Sequence, residues 1–128
     1  EDVRDVVEGW CKKTVERMRE RGTPYVGVLY AGVMLTPTGP SMLEYNCRFG
    51  DPETQAILPL LQTDLYSILR ACCTGTLDQT DITLHENTVA ATVVCAAGGY
   101  PESYPKGLTI EGIAEADALE GVTVVHAG

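Results

Sequence analysis

The chain has 128 residues, 45% hydrophobic and 21% charged, with a mean hydropathy of +0.00, which fits a soluble globular protein rather than a disordered or membrane-embedded one. Nine Lys and Arg against 18 Asp and Glu leave a formal charge of -9, which argues against a nucleic-acid partner, because phosphate-binding surfaces cluster cations. No apolar run reaches the ~20 residues of a membrane span, and the acidic opening EDVRDVVEGW resembles neither a signal nor a transit peptide.

Residues 1 to about 20 place Val3, Val7, Trp10, Thr14 and Met18 on one helical stripe. Gly22 and Pro24 end that helix. PYVGVLYAGVML and SMLEYNCRF are rich in strand formers and flank the turn TPTGP, so they read as a β-hairpin. In its second strand Leu43, Tyr45, Cys47 and Phe49 alternate with Met42, Glu44, Asn46 and Arg48, predicting one packed and one open face. Cys47 is then read as small core packing. A turn over residues 37 to 39 sets Gly32 opposite Glu44 and Tyr30 opposite Asn46.

Asp51 and Pro52 suit a helix cap and a first helical position, and Glu53 complements the helix dipole. ETQAILPLL continues helically until Pro59, and Thr63 or Asp64 opens another helix with Leu61, Leu65, Ile68, Leu69 and Cys72 as its stripe, ending at Gly75. LDQTDITLHEN is a polar connection at a domain boundary. Beyond it TVAATVVCAA, LTIEGI and VTVVHAG read as strands, separated by the loop GGYPESYPKG and by AEADALEG. At this length about two-thirds of the unfolded surface can be buried. Cys11, Cys47, Cys72, Cys73 and Cys95 show no paired zinc spacing and read as reduced thiols, and His85 and His126 receive no role.

Glu44 and Asn46 leave the same strand face about 6.6 Å apart at their α-carbons. A carboxylate and a carboxamide oxygen suit Mg²⁺, which keeps waters and substrate phosphates in the rest of its octahedron. Arg48 follows on that face as a fixed cationic fork for the anion. The plain alternative is that all three form the solvated face of an antiparallel hairpin.

Over its whole length, and most specifically in EYNCRFGDPE, the sequence resembles the phosphoribosylamine–glycine ligases (glycinamide ribonucleotide synthetases) of the ATP-grasp superfamily. GGYPESYPKG and the closing HAG resemble the C-terminal region of that family. The missing initiator Met and the abrupt end suggest a segment of a longer polypeptide. The resemblance implies an α+β fold. Residues 1–80 would be the C-terminal portion of an ATP-grasp domain, with helix, antiparallel hairpin and helices. Residues 81–128 would be the first part of a small β-rich C-terminal domain. It further implies Glu44 and Asn46 as ligands of Mg²⁺ or Mn²⁺, Arg48 as the catalytic cation, and Asp51 and Lys106 as substrate or phosphate contacts.

The implied reaction is cytoplasmic. ATP phosphorylates glycine, and 5-phosphoribosylamine attacks the glycyl phosphate to give glycinamide ribonucleotide, ADP and phosphate in de novo purine synthesis. The segment alone is expected to be inactive, and its parent can be fused to further purine-pathway enzymes. The rivals are another ATP-grasp ligase of the biotin carboxylase type, which shares ExNxR but not FGDPETQ, and a non-catalytic folding or docking module.

Overall fold

The computed structural model describes residues 2–127 and divides into two compact units at Ala91/Thr92. Glu1 of the expected first helix and Gly128 of the expected last strand lie outside the described residues. The first unit opens with helix α1, Val3–Glu20. Asp2 caps it, its carboxylate accepting from Arg4 N at 2.9 Å, and Asp5 and Arg17/Arg19 complement the two ends of the dipole. Val7, Trp10, Thr14 and Met18 are half-buried, as the stripe predicts, while Val3 at its start is exposed. The helix closes as Gly22 N donates to Arg19 O and Thr23 N to Met18 O.

The hairpin follows as β1, Tyr30–Thr36, and β2, Gly39–Asn46, paired antiparallel. Both strands are shorter than the sequence suggests. Residues 24–29 stay out of the ladder, with the Tyr25 hydroxyl donating to Val28 O. Arg48 lies in a bend beyond the end of β2. The turn is also shorter: Thr36 pairs with Gly39, leaving Pro37 and Thr38 as the loop, and Thr36 Oγ1 accepts from Thr38 N at 3.2 Å. The pairing runs in step to Val33↔Met42, slips by one residue, and resumes at Gly32↔Glu44, Ala31↔Tyr45 and Tyr30↔Asn46. Leu43 is the extra residue of a β-bulge. The expected register at the site is therefore present, reached through a two-residue turn plus a bulge.

The packed face is not. Leu43 is 62% and Tyr45 37% exposed, and Cys47 is exposed as well, leaving only Phe49 of that set half-buried. A two-stranded sheet gains a buried face only when a further layer covers it, and α1, although it touches β2, leaves these side chains exposed. Cys47 is therefore a surface thiol and not core packing.

Helix α2, Glu53–Ile57, passes into a 3₁₀ turn at Leu58–Leu60, where Pro59 cannot continue the α-helical ladder. Its N-cap is Pro52, without a side-chain cap. Asp51 does not take that place, because its Oδ1 accepts instead from Gln55 Nε2 at 2.8 Å. Asp64 does cap helix α3, Leu65–Thr74, accepting from Ser67 N and Oγ at 2.8 Å each. Gly75 ends α3 in the left-handed conformation at φ 70, where a Cβ would be strained. After a 3₁₀ turn at Leu77–Gln79, residues 81–85 return beside residues 60–63. Gln62 N donates to Thr83 O at 3.0 Å, His85 N to Leu60 O at 2.8 Å, and Thr83 N to Thr63 Oγ1 at 2.8 Å.

In the second unit, α4 spans Ile113–Asp117. None of the three expected strands forms among the described residues. Alternating apolar residues mark a chain able to pair, but a strand exists only when a partner takes up its N–H and C=O groups. LTIEGI instead ends at the start of α4. The loop at residues 98–107 turns on itself, with Glu102 N donating to Gly99 O at 2.9 Å and the Tyr100 and Tyr104 rings edge to face at 5.4 Å.

Burial is thin throughout. Ala71, at 8% exposure, is the one buried hydrophobic residue among the described residues, so the expected two-thirds burial is not reached. No described helix is long and apolar enough to cross a membrane.

Candidate active-site strand

The polar face of the hairpin begins with Gly32 opposite Glu44. A Cβ on Gly32 would stand 3.2 Å from Glu44 Cγ, so glycine leaves the glutamate room to lie over β1. Two residues on, Asn46 Nδ2 donates to Glu44 Oε1 at 2.8 Å. The two side chains are thus drawn together as the strand period requires. Glu44 Oε2 and Asn46 Oδ1 accept no hydrogen bond among the described residues. This pair of hard oxygens fits Mg²⁺ or Mn²⁺, which takes few protein ligands and many waters. No group of three or more His, Cys, Asp or Glu able to hold a metal occurs among the described residues, so a cation here would rely on Asn46 and on non-protein ligands.

Arg48, although beyond the ladder, stays electrostatically with this face. Its Nη1 donates to Phe49 O at 2.8 Å, and it forms no ion pair among the described residues. Tyr30, opposite Asn46, donates its hydroxyl to Glu53 Oε1 at 2.8 Å. Its phenol is raised above the usual tyrosine value, first by that hydrogen bond, then by desolvation and by the negative charges of Glu53 and Glu44, with Arg48 opposing. Tyr30, Glu44, Arg48 and Glu53 therefore share one electrostatic neighbourhood.

Glu53 is the residue that sequence reasoning missed. Its place in the first turn of a helix gave it a sufficient role, and no periodicity signals that the reversal at Gly50 brings its carboxylate to Tyr30. Of the other candidates, Asp51 is exposed and bonded to Gln55, and Lys106 is an exposed side chain of the second unit without an ion pair among the described residues.

The family model described as "Phosphoribosylglycinamide synthetase, ATP-grasp (A) domain" matches residues 1–54, which include this strand and Glu53. Phosphoribosylamine–glycine ligase of Synechocystis sp. is 54% identical over 116 residues, 90% of the chain and 27% of the relative. Over nearly its whole length the chain is thus similar to phosphoribosylamine–glycine ligases. The family member of Corynebacterium ammoniagenes is 47% identical over 128 residues, 100% of the chain and 29% of the relative. Trifunctional purine biosynthetic protein adenosine-3 of Homo sapiens is 53% identical over 117 residues, 91% of the chain and 12% of the relative. The chain thus spans less than a third of these phosphoribosylamine–glycine ligases and a smaller share of the trifunctional protein.

Proposed function

We propose that the chain supplies the metal-bearing strand of an ATP-dependent ligase that joins glycine to 5-phosphoribosylamine. The reaction passes through a glycyl phosphate and gives glycinamide ribonucleotide, ADP and phosphate, in the cytoplasmic de novo purine pathway. The observation that carries this reading is the approach of Glu44 to Asn46 over Gly32, two residues before Arg48 in the chain. In the same reading residues 1–80 are the C-terminal portion of an ATP-grasp domain, and residues 81–128 begin a small C-terminal domain. Names such as "Trifunctional purine biosynthetic protein adenosine-3" support a parent fused to further enzymes of that pathway.

Glu44 and Asn46 would hold Mg²⁺ or Mn²⁺, which when bound neutralises charge on the phosphoryl oxygens of ATP. Arg48 would stabilise the phosphoryl group in transfer, or orient the glycine carboxylate, as a permanent cation with several donors. Little covalent work falls to the protein in such a transfer, so a site of oxygen ligands and one arginine is chemically sufficient on this strand. Asp51 and Lys106 are proposed as contacts to substrate or phosphate.

The test uses the full-length protein. Glu44→Gln and Asn46→Ala should weaken metal-dependent turnover while the melting temperature stays near that of the wild type, because neither side chain is buried. Arg48→Ala should lower the chemical step more than ATP binding. A large loss of thermal stability in all three, with the metal response unchanged, would identify the strand as a solvated hairpin face.

A further inference from the structure

Among the described residues, one side-chain hydrogen bond joins the hairpin to α2: Tyr30 Oη to Glu53 Oε1 at 2.8 Å, between residues 23 positions apart. The intervening link of residues 47–52 carries Arg48 and is otherwise tied only locally. Arg48 bonds to the next residue's carbonyl, Thr54 N and Oγ1 to Gly50 O, and Gln55 to Asp51. Such bonds hold a turn in shape without fixing it against the sheet. Gly50 is buried, and a Cβ there would fall 2.9 Å from Glu53 Cδ and 3.1 Å from Glu53 Cβ. The glutamate therefore lies along the Gly50 backbone on its way to Tyr30.

We propose that Tyr30 and Glu53 are a positioning pair that latches α2 to the polar face of the hairpin and so fixes Asn46 and Arg48 relative to each other. Tyr30 is the ladder partner of Asn46, and Glu53 follows Arg48 across the Gly50 reversal, so the bond closes a ring through both. Its consequence for metal binding rests on the reading of Glu44 and Asn46 as ligands. Glu53 acts as an acceptor in this arrangement, through its oxygen and not through its charge.

The full-length protein carrying Tyr30→Phe, Glu53→Ala, Glu53→Gln or Tyr30→Phe/Glu53→Ala decides it, with Glu44→Gln as a control. Mn²⁺ affinity is read by electron paramagnetic resonance, kcat and KM for glycine by steady-state kinetics, and local order by hydrogen exchange of residues 43–50. Tyr30→Phe and Glu53→Ala should each weaken Mn²⁺ binding and kcat by about tenfold, the scale of lost outer-shell partners. The double variant should be no worse than either single, since both remove one bond. Glu53→Gln keeps an acceptor for the tyrosine and should stay within about twofold of the wild type. Exchange over residues 43–50 should rise in the first two variants and not in Glu53→Gln.

Equal losses in Glu53→Gln and Glu53→Ala would overturn the latch, because the charge would then be what matters. So would a Tyr30→Phe variant with wild-type affinity and exchange. Should Glu44→Gln leave Mn²⁺ affinity unchanged, the metal reading falls by itself. The latch is then judged by exchange, upheld by a rise in Tyr30→Phe and overturned by none.

Discussion

At Asn46 the amide nitrogen holds Glu44 at 2.8 Å, which in the proposed reading leaves its oxygen for a cation. Replacing Asn46 with Asp keeps an oxygen but loses the donor and sets two carboxylates side by side, so Mn²⁺ affinity in the full-length protein should become more pH-dependent than in the wild type. A titration of affinity between mildly acid and neutral pH reads this directly, and parallel profiles would show that the amide nitrogen is not the holding group. A second residue with a defined pH response is Asp64. Its carboxyl is held below the usual aspartate range by the side-chain and backbone hydrogen bonds of Ser67. A depressed folded value means that the cap contributes above the unfolded pKa, and that this contribution is lost as pH falls through the folded value. Asp64→Asn should flatten the acid limb of stability while retaining a cap, whereas Asp64→Ala should lower stability at neutral pH too. The cap at Asp64 is legible in the sequence, where Thr63 or Asp64 opens the helix, because capping depends on near neighbours. The Tyr30–Glu53 bond is not, because it depends on a chain reversal that local pattern does not encode.

At the scale of the hairpin, the expected register is right for a reason that is incomplete. Alternation in SMLEYNCRF marks Glu44 and Asn46 as sharing a face, and glycine at position 32 offers them space. The turn is one residue shorter than its Thr-Pro-Thr-Gly-Pro composition suggests, and Leu43 makes up the difference. Deleting Leu43 should therefore remove the bulge while Glu44 stays opposite Gly32, so metal-dependent turnover in the full-length protein should be retained, and its loss would show that the bulge itself shapes the site. Gly32→Val should instead damage turnover, because its Cβ alone already reaches Glu44 Cγ at 3.2 Å. Ala31→Val lies opposite the exposed Tyr45, so its stability change should stay within about 0.5 kcal/mol, the usual range for surface positions. Turnover and melting temperature of the two variants check the register, and the reverse order of damage would refute it. The three unformed strands beyond residue 87 teach the complementary lesson: alternation reports which residues can pair, while pairing itself is supplied from elsewhere in space.

Across the whole chain the exposed surface of the described residues is apolar as well as polar: Met34, Leu35, Leu43 and Tyr66 are each more than half exposed. The 128-residue chain by itself should bind an apolar dye such as anilinonaphthalene sulfonate, and its urea transition should have a slope below the ~1–3 kcal/mol/M of small domains. A steep cooperative transition without dye binding would contradict that expectation. The same chain should make no glycinamide ribonucleotide when supplied with ATP, Mg²⁺, glycine and freshly generated phosphoribosylamine, and turnover above a denatured control would place the active site entirely within these residues. The return of residues 81–85 to residues 60–63 has a practical corollary for exchanging parts between relatives. A crossover between Gly75 and Asp81 takes Thr83 and His85 from one parent and their partners Thr63 and Leu60 from the other, so chimeras joined there inherit mismatched edges. A junction at residues 86–91 leaves both edges with the same parent, and libraries recombined there should yield the larger fraction of folded hybrids.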